Sequence, residues 1–265
     1  MNAKPLEKKG VDLGLISKYR NELYGIAIIL ILLFHCAGTH VNHYGPLGAD
    51  SFLFVAISSF EKYVGSVGVE LFVFLSGMSM YYSYTRNSRL LSFYSKRYQR
   101  ILIPYIYIGG AFWIIKDVLV LREGWIRAAY DFLFITFFTE GVRTIWFILF
   151  LMAAYAILPA VYQAIFSRKE ASVIAFTVIT LVFLGLPILL FFTYRGLFNN
   201  IEIALTRFPL FVIGVFSGKY IKDGARVPRL CIVALVAAAI SLKYYDAFHD
   251  TAQYTNRYIA AIFGM

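Results

Sequence analysis

The sequence predicts an all-α polytopic membrane protein with about seven or eight transmembrane helices. Hydrophobic residues make up 60% of the 265 residues and charged residues only 15%, a balance outside the range of ordinary soluble domains. The apolar residues also occur in blocks close to the ~20 residues that a helix needs to cross a hydrocarbon layer. We therefore expect a multi-pass protein of the cell membrane, with residues 1–265 forming one membrane-embedded domain.

The apolar blocks define the predicted spans. In chain order they are Leu23–Gly38, Val64–Tyr84, Ile101–Leu121, Ile145–Phe166, Ala171–Phe192, Arg207–Tyr220, Leu230–Tyr245 and a last one that begins near Arg257. The segment Ala128–Thr139 is too short to span, and we place it outside the bilayer core as a re-entrant or interfacial segment. The apolar stretch Tyr258–Gly264 is also too short to span, which suggests a C-terminally truncated form of a larger fold.

Basic residues predict the orientation of the spans. With Ala128–Thr139 outside the core, most of the 25 lysines and arginines fall on one side of the membrane, which the positive-inside rule makes cytoplasmic. The N-terminal segment 1–19 and the loop that carries Arg97 and Arg100 are then cytoplasmic. The net charge of +10 is explained by this topology and by anionic lipid headgroups, so membrane lipids are expected partners and nucleic acid is not.

Two of the ionisable side chains within the apolar spans are candidate catalytic residues. His35 follows the apolar run from Tyr24 to Phe34, and a neutral imidazole is the commonest general base. The alternative is a structural histidine bonded to a neighbouring helix. Glu70 lies early in the next span, where its carboxylate would orient the histidine or pair with a structural arginine.

A basic cluster at the start of the third span is a candidate anion site. Arg97 and Arg100 lie three residues apart, on one face of a helix, and together they can hold a phosphate or pyrophosphate. The alternative is a snorkelling cluster that binds lipid phosphates.

A histidine-rich stretch follows the first span but does not predict a metal site. Its spacing matches no common zinc pattern, so we expect no metal and no permanently bound cofactor. The residues concerned are His35, Cys36, His40 and His43.

Five motifs follow one another along the chain. They are Arg20–Gly25 leading to Phe34–His35, Gly68–Gly77, Phe93–Tyr105 with Arg97, Arg100 and Pro104, Trp146 with Tyr155 and Pro159, and Arg207–Gly214. Their order and spacing resemble the motif series of the membrane acyltransferase-3 family, whose members O-acylate bacterial polysaccharides and lipid-linked sugars. The resemblance runs over essentially the whole chain.

The resemblance implies a fold of roughly ten spans, with an inward-facing site for acetyl-CoA as donor substrate. It also implies a glycan or lipid-linked sugar as acceptor, His35 as the base, and Arg97 and Arg100 near the donor phosphates. Many members carry an arginine eleven residues before the histidine. That position is Tyr24 here, and Arg20, one turn earlier on the same face, is its candidate replacement. Glu70 stands where members usually have aspartate.

Two other functions stay open at the level of sequence. A transporter or flippase for a lipid-linked glycan would also use intramembrane histidine and glutamate, as a proton relay. A non-catalytic membrane partner descended from such an enzyme would account for the short C-terminus and for Tyr24. Binding and turnover of a thioester donor separate the enzyme from both.

Overall fold

The computed structural model of the chain describes residues 10–48, 51–63, 67–167 and 171–249. These residues are almost wholly helical, which confirms the predicted all-α class. The strands within this part are β1 (Val11–Asp12) and β2 (Arg226–Val227), which pair antiparallel with Val11 opposite Val227.

The helices follow one another with short connections. In chain order they are α1 (Gly14–Lys18), α2 (Arg20–Gly48), α3 (Phe52–Tyr63), α4 (Val67–Arg86), α5 (Leu90–Pro104), α6 (Gly110–Trp113), α7 (Trp125–Phe132), α8 (Ile135–Thr139), α9 (Trp146–Phe166), α10 (Val173–Thr193), α11 (Arg195–Leu205), α12 (Phe208–Lys222) and α13 (Arg229–His249).

Five helices in the described ranges are long and apolar enough to cross a membrane. They are Arg20–Val41, Leu90–Val120, Trp146–Phe166, Val173–Thr193 and Arg195–Lys222. The chain is therefore a polytopic membrane protein. The predicted spans Val64–Tyr84 and Leu230–Tyr245 coincide with α4 and α13, which are helical but not among these five. The last predicted span, near Arg257, lies outside the described residues.

The third predicted span differs most from the structure, because the loop expected before it is helical. The helix Leu90–Val120, called the long helix below, runs through α5 and α6 and contains π-helical turns at Tyr105–Gly109 and Ile114–Val120. Pro104 has a helical φ of −59°, so its missing N–H removes one backbone hydrogen bond without ending the helix. A π-helical turn begins at the next residue, where that bond is lost.

The chain divides into two compact units. One combines Met1–Ser79 with Ile213–Met265, and the other is Met80–Val212. The divisions fall inside α4 and α12. The prediction of a single domain stays a prediction.

In the first unit, glycines let helix backbones approach closely. A Cβ on Gly68 of α4 would lie 2.8 Å from the carbonyl oxygen of Ala27 on α2. A Cβ on Gly214 of α12 would overlap the carbonyl group of Phe74 on α4. Such contacts favour association in a membrane, where close van der Waals packing replaces the hydrophobic driving force.

In the second unit, tyrosine hydroxyls join the long helix to α9. Tyr94 donates to the carbonyl oxygen of Ala156 at 3.0 Å, and Tyr98 donates to that of Met152 at 2.9 Å. Tyr94 and Tyr98 are four residues apart, so they share the helix face that meets α9.

Replacing Gly68 with alanine will destabilise the protein by about 1–3 kcal/mol, because the new methyl group overlaps the α2 backbone. The measurement is the unfolding midpoint in detergent micelles. Gly185→Ala is the control, since a Cβ there meets nothing within 4 Å. Equal midpoints for the two variants would show that α2 and α4 do not pack at Gly68.

Candidate active site

The predicted base, His35, lies on an outward face of α2. Its ring is edge-on to that of Phe34, with centroids 5.5 Å apart, and its side chain is exposed. Leu32 and Ile28, one and two turns earlier, are exposed on the same face. Within the part of the chain that the structure describes, the imidazole has no hydrogen bond or ion pair. Its nitrogens are therefore exposed and are not bonded to another described side chain.

A cavity of about 490 Å³ opens between α2 and α3, close to His35 in sequence. Its walls are mostly apolar, and it falls within the usual ligand-pocket range of roughly 300–1,000 Å³. His40 contributes to the lining, whereas His35 does not. The lining residues are Leu33, Cys36, Ala37, His40, Ala56, Ile57 and Phe60.

The predicted acid, Glu70, is fully buried on α4, with 0% of its surface exposed. The contact of Gly68 with Ala27 and Ile31, and that of Phe72 with Tyr24, set the register of α4 against α2. Glu70 therefore lies level with the turn around Ala27. His35 is eight residues further along α2, or about 12 Å at 1.5 Å per residue. The register does not bring Glu70 within hydrogen-bond distance of His35.

Tyr24, at the position of the family arginine, is a packed residue. Its hydroxyl is 3.1 Å from the Ser79 hydroxyl, and its ring is edge-on to Phe72 at 5.0 Å. Arg20 is half-buried at the start of α2, one turn earlier. Its guanidinium makes no hydrogen bond or ion pair with other described residues, which leaves it accessible to an anion.

Arg97 and Arg100 lie together on α5, as their spacing predicts. Arg97 is half-buried beside the face that carries Tyr94 and Tyr98, and Arg100 is exposed. The second unit therefore presents two guanidinium groups on one helix. Arg20, Glu70 and His35 belong to the first unit.

A group of charged side chains near the end of the long helix was not predicted. Lys116 Nζ lies 2.7 Å from Asp117 Oδ1, 3.4 Å from Asp131 Oδ2 and 4.6 Å from the Trp113 ring centroid. Both carboxylates are fully buried. The signal in the sequence was the pair Lys116–Asp117 inside an apolar span, where charges are costly without partners.

Arg127 of α7 extends this group. Its guanidinium lies 2.7 Å from Glu140 Oε2, 3.5 Å from Asp131 Oδ2 and 3.6 Å from Glu123 Oε2. We call Lys116, Asp117, Arg127 and Asp131 the ion network. Its two cations balance its two buried carboxylates.

A second ion pair, with a buried carboxylate and a partly exposed arginine, connects the segment before α9 to α11. Arg143 Nη2 lies 2.9 Å from Glu202 Oε1, and the Glu202 side chain is fully buried. Arg207 stacks on the ring of Trp146 at 5.1 Å. Trp146 and Arg207 belong to the motifs noted in the sequence, whereas Arg143 and Glu202 were not predicted.

No metal centre is apparent in the described ranges, where no three histidine, cysteine or acidic side chains are grouped to hold an ion. The side chain of His43 is not among those that the structure describes. Cys36 and Cys231 are free thiols and both are exposed.

These observations define a helical integral membrane protein with ionisable groups on and between its spans. The sequence model of the acyltransferase-3 family, described as an acyltransferase domain, matches residues 23–265. The chain therefore belongs to the acyltransferase-3 family, as its motifs indicated, and is a membrane acyltransferase. No curated protein and no solved structure matches it.

Proposed function

We propose that this protein is an O-acyltransferase of the cell membrane, with its N-terminus in the cytoplasm. It moves an acetyl group from acetyl-CoA to a hydroxyl of a cell-envelope or exported polysaccharide, or of a lipid-linked sugar. The observation that carries the proposal is the accessible imidazole of His35, which directly follows the apolar run Tyr24–Phe34 in the α2 helix of an acyltransferase. A polar side chain on a membrane helix is costly and marks a functional site by default.

The chemistry needs a base, because a sugar hydroxyl is a weak nucleophile until its proton is removed. In direct transfer, the hydroxyl oxygen attacks the thioester carbonyl carbon while His35 accepts the hydroxyl proton. The new C–O bond forms first, and collapse of the tetrahedral intermediate then breaks the C–S bond. The departing CoA sulfur takes the proton back from the imidazolium, so the products are the ester and free CoA.

Arginines at the cytoplasmic side are proposed to bind the donor. Coenzyme A is polyanionic, and guanidinium groups hold phosphate oxygens through paired, charge-assisted hydrogen bonds. Arg97 and Arg100 share one helix face, which supports a two-pronged contact with the pyrophosphate. Arg20, in the first unit, is a further proposed donor-binding residue, in place of the arginine that Tyr24 replaces.

Glu70 is proposed to act as a buried carboxylate near the turn around Ala27. Its burial and its level along α2 favour an electrostatic effect on that turn over a direct bond to His35. A buried carboxylate acts over a longer range than an exposed one, because water screens it less.

Replacing His35 with alanine should lower kcat by about 10²-fold or more, the usual contribution of a general base. The measurement is the release of free CoA from acetyl-CoA by purified protein with an acceptor glycan. His40→Ala is the matched control, since it removes the same side chain from the same helix. Full activity in His35→Ala would exclude His35 as the base.

Replacing Arg97 and Arg100 together with alanine should raise the KM for acetyl-CoA roughly tenfold or more, because charge-assisted hydrogen bonds contribute about 1.5–3 kcal/mol. The kcat at saturating donor should change little. Arg89→Ala, an exposed cation at the start of the same helix, is the control. An unchanged KM would instead favour a role in binding lipid phosphates.

The replacement of the family arginine can be tested by moving the charge along α2. Arg20→Ala should raise the donor KM about tenfold, the equivalent of 1.4 kcal/mol, and adding Tyr24→Arg should restore it. One turn is about 5.4 Å, a distance that an arginine side chain can cover. Lys18→Ala, at the end of α1, is the control. A double variant as weak as Arg20→Ala would show that the two positions are not equivalent.

The same assay separates the enzyme from the other functions. If the wild-type protein neither binds acetyl-CoA nor releases CoA, the enzyme is excluded. The remaining functions are then a glycan transporter and a non-catalytic membrane partner.

A further inference from the structure

The segment between the long helix and α9 turns back along the long helix. At its start, the backbone N–H groups of Glu123 and Gly124 donate to the carbonyl oxygen of Asp117. At its other end, the ring of Phe132 lies 3.7 Å from the position of a Cβ on Gly110. Helix α7 therefore runs antiparallel to the long helix, from the level of Asp117 to that of Gly110. Its eight residues cover about 12 Å.

This path takes the segment from the end of the predicted span toward the middle of the membrane. Gly110 lies near the middle of the predicted span Ile101–Leu121, and the whole long helix is a candidate membrane helix. After Phe132 the chain reverses through Phe134, which has a left-handed φ of 62°, and α8 follows. We infer that α7 and α8 form a re-entrant hairpin, which enters the bilayer from the side opposite Arg97 and Arg100 and contacts lipid hydrocarbon with its outer face.

The exposure of α7 is the reverse of that expected in water. Trp125, Ile126 and Leu133 are 66%, 74% and 61% exposed, whereas Asp131 is only 1% exposed. A surface helix in water buries its apolar face and exposes its polar one. The reverse arrangement fits a hydrocarbon environment, and it continues the exposed apolar surface of Leu119 on the long helix.

Polar groups at the tip of the hairpin are bonded within the protein. The Tyr105 hydroxyl donates to the carbonyl oxygen of Phe132 at 2.6 Å. The Phe134 N–H donates to the carbonyl oxygen of Asp131, and the Thr136 hydroxyl donates to the Asp131 carboxylate. Non-helical backbone occurs at membrane depth only where its polar groups are satisfied in this way.

The charged groups of the ion network are also paired within the protein. Lys116 and Arg127 balance Asp117 and Asp131, and the cations are about one-third exposed or less. Ionisable groups inside a membrane pair with one another in this manner. The network also joins α7 to the long helix, because Lys116 lies on the long helix and its partner Asp131 lies on α7.

The test measures depth in the bilayer with a spin label. In a Cys36→Ser/Cys231→Ser background, Leu133→Cys, Ile126→Cys and two reference variants are labelled in the full-length protein and reconstituted in lipid bilayers. Ile108→Cys, which is exposed on the long helix close to the level of Gly110, is the lipid reference, and Arg122→Cys is the aqueous reference. Collision with oxygen, which concentrates in hydrocarbon, is compared with collision with a water-soluble nickel chelate.

The expected result is that Leu133 resembles Ile108, with oxygen collisions at least several-fold more frequent than nickel collisions, and that Ile126 is shallower. Nickel access at Leu133 equal to that at Arg122 would overturn the inference and make the segment an aqueous loop. Protection of Leu133 from both reagents would also overturn it, because another protein surface would then cover the hairpin.

A second readout needs no cysteine. Lipids brominated on their acyl chains should quench Trp125 fluorescence, measured as the difference between wild type and Trp125→Phe. Quenching of this difference by aqueous iodide instead would contradict the hairpin.

Discussion

Hydrocarbon offers no hydrogen-bond partner to a backbone amide, so each N–H and C=O group of this chain within the bilayer must find its partner in the protein. Continuous helices meet that requirement locally. Where the chain departs from a helix beside the long helix, side chains replace the lost partners, as Tyr105 does for Phe132. Close packing at Gly68 and Gly214 then holds the helices together without help from water.

Much of the fold could be predicted because hydropathy acts locally. The spans at α2, α9 and α10 follow uniform apolar runs, and the structure has helices there within a few residues. The long helix exceeds its predicted span because the polar residues before Ile101 continue the same helix, whereas hydropathy marks only the apolar part of a helix. The number of residues in an apolar run therefore predicted a span more reliably than it predicted the ends of a helix.

The arrangement of polar groups was harder to predict because it depends on which helices pack and in what register. Arg97 and Arg100 share a face through their spacing alone, and the structure bears that out. Whether Glu70 lies close to His35 depends on the register of α4 on α2, and no local sequence pattern contains that register. The ion network likewise joins Lys116 to Asp131, fifteen residues later, and only the reversal of the chain brings them together.

The ion network and His35 differ in a way that bears on function. Removing one member of a buried ion group leaves its partners uncompensated, at a cost of about 3–5 kcal/mol, so the network is kept by its own stability whether or not it takes part in a reaction. No comparable contribution to stability accounts for His35. Within the described chain its imidazole has no hydrogen-bond or ionic partner, and its neighbours Ile28 and Leu32 are apolar. Because an ionisable side chain inside a membrane is costly and marks a functional site by default, this position supports the proposal that His35 acts on a bound substrate.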